Sequence, residues 1–139
     1  MTEGSQPALL LGTGVEAFTP VLDGDTLLLA RGCQGSQHVW IALRTTGAIS
    51  SRLFVQLSFV RVRDDFLGSW PFRARIQFEP SSDETGLQVS GLALVVPVPE
   101  DLLGEQVSLH GSASDDANTT VVSERRVWIE WGDEICGSF

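Results

Sequence analysis

Lysine and tyrosine are absent from the 139 residues, methionine and asparagine occur once each as Met1 and Asn118, and there are only two cysteines and two histidines. All nine basic residues are therefore arginines, set against eighteen acids for a net charge of -9. A field of that sign repels phosphate backbones and anionic headgroups, which argues against nucleic acid as a partner. Arginine-only usage is what a GC-rich genome produces without selection on function. No apolar run approaches the roughly 20 residues of a spanning helix, the longest being segments such as LALVVPV near residue 95. No stretch of ten residues shows the 3.6-residue apolar period of an amphipathic helix. The GxSxG elbow, HExxH, Walker loop and GxGxxG are all missing, and a Ser-His-Asp triad would have to use one of the two histidines. A carboxylate pair for glycoside hydrolysis has no short signature and stays open. The chain is read as a non-enzyme.

What is present is a core-forming sequence. Hydrophobic residues make up 42% and charged residues 19%, which sets aside the disordered class. A chain of this length buries roughly 68% of its unfolded surface in one core, so a single domain is expected over residues 8–139. Residues 1–7, MTEGSQP, lack the basic start and apolar stretch of a signal peptide. They are expected to be a flexible linker, such as a removed signal or lipid anchor leaves behind; a native cytosolic start is the alternative.

Short apolar–polar alternation broken by Gly, Pro, Asp and Ser recurs along the chain and predicts strands. The first is expected at Val15–Val21 and the second at Thr26–Ala30. In HVWIALR, Val39, Ile41 and Leu43 share one face, with His38, Trp40 and Ala42 on the other. The segment Ile49–Arg63 has Leu53, Val55, Leu57 and Phe59 on its core side; its length suggests a bulge or a change of sheet midway. WPFRARIQFEP sets Phe72, Ala74, Ile76 and Phe78 against Arg73, Arg75 and Gln77, a wet face. Leu87–Val96, a helical turn in PVPEDLLG, then Val107–Ala113 and Val121–Trp131 complete the pass. The prediction is all-β: an antiparallel β-sandwich of seven to nine strands with Greek-key connections, in preference to a barrel.

The closing pattern GEQVSLHGSASDDANTTVVSERRVWIEW resembles the last strands of immunoglobulin-like and fibronectin type III-like domains, over about a quarter of the chain. The segment GCQGSQHVWIAL is similar to sequences in secreted or lipid-anchored bacterial envelope proteins. These resemblances imply an immunoglobulin-like fold and a periplasmic, outer-membrane-anchored or extracellular location. The chain departs from antibody domains in lacking a Cys on each facing central strand with a Trp between them, and without tyrosine no tyrosine corner can form.

Cys33 precedes the Trp40 strand and Cys136 follows the last one, so a disulfide between them is expected, with free thiols in a cytosolic protein as the alternative. Closing a loop of about 100 residues would stabilise by roughly 4 to 5 kcal/mol. His38 and His110 are weak candidates for copper or zinc, because the late Cys–His–Met spacing of blue copper is missing. Asp115, Asp116 and Asn118 crowd one loop and Asp23 and Asp25 another; calcium is weighed against ordinary acidic turns, which are favoured. Asn118-Thr119-Thr120 fits a glycosylation acceptor that a bacterial source leaves unmodified.

The tryptophans are the binding candidates. In RVWIEW, Val127, Ile129 and Trp131 share a face, which leaves Trp128 beside Arg126 and Glu130 on the other. An exposed Trp flanked by charge anchors a protein interface or stacks on a sugar. The leading expectation is a module for protein–protein interaction or self-assembly; the runner-up is carbohydrate binding through Trp128 or Trp70, with Trp40 on a second, half-apolar face.

Overall fold

The computed structural model describes residues 6–31, 37–47, 49–81 and 86–135. These form eleven strands: β1 Ala8–Thr13, β2 Thr19–Pro20, β3 Thr26–Arg31, β4 Gln37–Thr46, β5 Arg52–Arg61, β6 Phe66–Leu67, β7 Phe72–Gln77, β8 Glu79–Pro80, β9 Leu87–Val95, β10 Gln106–Ser114 and β11 Thr120–Ile135. Three of them, β2, β6 and β8, are two-residue bridges. The one helical element among the described residues is a 3-10 turn at Pro99–Asp101, where Pro99 supplies the fixed φ of a helical start. The chain is all-β, in one mixed sheet.

Alternation accounts for the longer strands. On β5 the side chains of Leu53, Val55, Leu57 and Phe59 are buried, as are Val39, Ile41 and Leu43 on β4 and Val127 and Ile129 on β11. All of them join a single cluster that also takes Leu9 and Leu11 of β1 and Leu27 and Leu29 of β3. The expectation at the N-terminal end needs correction. The first strand is β1, seven residues before the predicted start, because Leu9 and Leu11 already alternate into the core. Gly14, at φ +140, ends it, and Val15–Ala17 is a bend that leads into β2.

Between the strands the pairing is antiparallel with one exception, and an isolated parallel bridge joins Leu103 to Ile129. From one side the order runs β7 and β6 on β5, then β10, then β11. Beyond β11, strand β3 runs parallel to it, with Thr26 beside Trp128 and Leu29 beside Trp131. At Ala30 and Arg31, β3 pairs instead with His38 and Gln37 of β4. Strand β4 then takes β1 along the same edge from Ile41 onward and β9 along the other edge. The sheet is therefore mixed rather than purely antiparallel, and β3 is the strand its two halves share.

No bulge interrupts β5. Its register with β10 is unbroken from Phe54 to Arg61, and on its other edge it changes neighbours, from β7 to β6. Buried Ser69 fills the change-over, its Oγ accepting from the Phe59 amide at 2.9 Å. The register shifts fall elsewhere, between Ile41 and Leu43 against β9 and between Trp131 and Ile135 against β3. At the first of these Gly91 sits at φ +74 and donates its amide to the Gly14 carbonyl at 2.9 Å, a conformation L side chains rarely adopt.

Among the described residues there is no disulfide; Cys33 and Cys136, between which the bridge is expected, both lie outside them. The described segments nearest to them are paired through the backbone, Arg31 opposite Ile135.

Phe59 is fully buried at the centre of the cluster. Phe59→Ala is expected to lower unfolding stability by about 3–5 kcal/mol, whereas Val122→Ser on the outer face stays within about 0.5 kcal/mol. Urea unfolding of the two variants checks both.

Candidate functional site

Because β5, β10 and β11 keep a common register, their outward side chains line up in rows across the sheet. One row runs Arg73, Gln56, Ser112, Val122 and the next Ser58, His110, Glu124. Their neighbours along each strand point into the core, so alternation dictates this face. Together with Leu67, Pro71 and Phe72 at one side, the rows line an open groove of about 680 Å³. Within it His110 Nε2 stands 3.8 Å from Glu124 Oε2, and Ser108 donates its hydroxyl to the same oxygen.

A second cavity, of about 400 Å³, opens where β3 and β4 part. After Ala30 has paired with His38, β4 moves over to β1, whose Thr13 hydroxyl donates to the Trp40 carbonyl at 2.7 Å. The crevice left between them is lined by Trp40, Ala30, Leu28, Val15, Gly132 and the hydroxyl-bearing Thr13 and Thr26. Leu28 is 58% exposed and Val15 50% exposed, both large for apolar side chains beside a cavity. The His38 ring meets Trp40 edge-on, with centroids 4.3 Å apart, and its buried Nε2 has no hydrogen-bond partner among the described residues.

The predicted tryptophans are scattered. Trp128 is exposed, as alternation required, and lies on the outer face of β11 with Arg126 and Glu130. Trp70 is exposed on the link into β7, its amide bonded to the Val95 carbonyl. Trp40 is half-buried in the crevice, and Trp131 is stacked under the Arg31 guanidinium at 4.1 Å. Of the four, only Trp40 lines either cavity.

The acidic loops are committed to the backbone. Asp115 Oδ1 accepts from the amides of Ala117 and Thr119, and its Oδ2 from Ser50. This fastens the β10–β11 turn, in which Asn118 takes the left-handed φ of +67. Asp116 pairs with Arg75 at 3.2 Å, Asp23 accepts from the Arg126 amide and Asp25 from the Leu22 amide. Asp64 is gripped by both Nε and Nη2 of Arg61, which holds its carboxyl below the ordinary range. Among the described residues no three His, Cys, Asp or Glu side chains gather as a metal site; His38 and His110 lie on strands that are not paired to each other. The groove rows escaped the sequence pass because cross-strand neighbours follow only from register; the polar alternation Ser108, His110, Ser112 was their one visible trace.

No family model, curated protein or solved structure matches the chain.

The amide of Thr119, with those of Ser50 and Ala117, holds the Asp115 carboxyl below its ordinary value of 3.8. A depressed folded-state pKa stabilises above the unfolded value and loses that contribution as pH falls through the folded one. The urea midpoint is therefore expected to drop below about pH 4, and to drop less in Asp115→Asn, which is also the less stable of the two at neutral pH. Parallel pH profiles for the two proteins would count against this role.

Proposed function

We propose that the chain is a non-catalytic binding module, layered as an immunoglobulin-like sandwich with β3 shared between its sheets, and that it binds a protein partner through the Trp40 crevice. The observation that carries the reading is the parting of β3 from β4. It leaves an apolar cavity lined by half-exposed Leu28 and Val15 together with Trp40. A cavity of this kind receives an apolar anchor side chain, the usual centre of a binding hot spot.

Two further features support it. Among the described residues, β3 is paired over Thr26–Leu29 on its β11 side only, which offers its opposite edge to an extended partner segment. Asp115 and Asp23 serve turns and Asp64 an arginine, an arrangement that suits a scaffold better than acid–base chemistry. A net charge of -9 disfavours the approach of a second copy, so the partner is expected to be a different, neutral or basic protein.

Selection of peptides from a displayed random library on the immobilised chain is expected to enrich sequences with a large apolar anchor. Leu28→Asp, at an exposed position that leaves the core intact, is expected to weaken their binding tenfold or more, since burying a Leu is worth about 1.5–3 kcal/mol. Enrichment of polar peptides only, or equal affinity for Leu28→Asp, would overturn the assignment.

A further inference from the structure

The groove across β7, β5, β10 and β11 lies apart from the crevice and shares no lining residue with it. Several of its outward side chains are left unpaired within the chain. Arg73, Gln56, Ser58 and Ser112 make no hydrogen bond or ion pair from their side chains among the described residues, although cross-strand neighbours stand within reach of one another. Both contacts to Glu124 fall on Oε2, which leaves Oε1 as a free acceptor. Three other arginines are paired, Arg61 with Asp64, Arg63 with Glu105 and Arg75 with Asp116, whereas Arg73 of the groove has no such partner among the described residues.

We infer that this groove is a binding site for a short neutral oligosaccharide. The array supplies donors and acceptors in alternation: a guanidinium, an amide, two hydroxyls, an imidazole and a carboxylate. A pyranose needs that mixture, because each of its hydroxyls both donates and accepts. Phe72 and Leu67 at one side and Val122 at the other offer apolar surface to the C–H faces of the rings. From Arg73 on β7 to Glu124 on β11 there are three strand spacings, roughly 14 Å at about 4.8 Å each, a length that suits a short oligosaccharide lying across the strands.

The same features disfavour the other ligands. Glu124 within the site and the overall charge of -9 oppose phosphates and acidic polymers. Across the groove floor β5 and β10 are bonded along both edges and turn only side chains outward, so an added peptide strand would join at the outer edge of β7 or β11 rather than lie across the groove. The site also differs from tryptophan stacking: Trp128 and Trp70 lie outside it.

Saturation-transfer NMR with neutral trisaccharides of glucose, mannose, galactose and N-acetylglucosamine, with an oligouronate alongside, tests the assignment on the full chain. At least one neutral trisaccharide is expected to bind and the oligouronate is not. Gln56→Ala and His110→Ala, both at exposed positions, are each expected to weaken binding roughly three- to tenfold, the range for one lost hydrogen bond. Circular dichroism confirms that the variants fold. Trp128→Ala and Leu28→Asp are expected to leave the titration unchanged, which separates this site from the crevice. Absence of binding by every neutral sugar, preference for the oligouronate, indifference to both groove substitutions, or loss of binding in Trp128→Ala would each overturn it.

Discussion

The pairing of β3 is the constraint from which the rest of the architecture follows. Over Thr26–Leu29 it is bonded along β11, and at Ala30 and Arg31 it is bonded to β4. A strand bonded to two neighbours that then diverge must carry the sheet around a corner, and here it brings Leu27 and Leu29 into the same cluster as residues from both halves. The turn before β3 strengthens the arrangement: Trp128 donates its amide to the Asp25 carbonyl and Gly24 donates to Arg126, so the parallel ladder begins before the strand does. The crevice at Trp40 is the direct result of this geometry, since two strands that part must leave space between them. Its emptiness of polar side chains other than two threonines follows from its position beside the core.

The acidity of the chain has a different explanation from the one that composition first suggests. Eighteen acids against nine arginines look like a surface built for a cation or a basic partner. In the folded chain, Asp23, Asp25 and Asp115 replace missing backbone partners at turns, and Asp64, Glu105 and Asp116 hold arginines in place. Tight turns leave amides without ladder partners, and a short carboxylate is an economical acceptor for them. Glu124 instead holds Ser108 and faces His110, in a groove whose other outward side chains keep unspent hydrogen-bonding capacity.

Most of the strand positions were legible from alternation alone, because a half-buried strand writes its two faces into the sequence at period two. Val39, Ile41 and Leu43, the four core positions of β5 and the outward placement of Trp128 are all of this kind. Strand β1 was misread because Val15, Ala17 and Thr19 imitate the same period, while the stop signal of Gly12 and Gly14 came after Leu9–Leu11 rather than before a strand. The parallel pairing of β3 with β11 could not be read at all: it joins segments about a hundred residues apart, and nothing in either segment marks its neighbour. The groove was hidden for the same reason, since Gln56, Ser112 and Glu124 become adjacent only through register.

The long reach of that one parallel ladder also sets an order of events for the newly made chain. Every contact between Thr26–Leu29 and Trp128–Trp131 closes a loop nearly as long as the domain, and such closures come late and slow the search for the native state. Until β11 emerges, the inner surface of β3 and the apolar residues of β4 have no lid, and the early strands wait as exposed, pairing-prone edges. A chain of this design depends on its final strand for protection against aggregation as much as for shape.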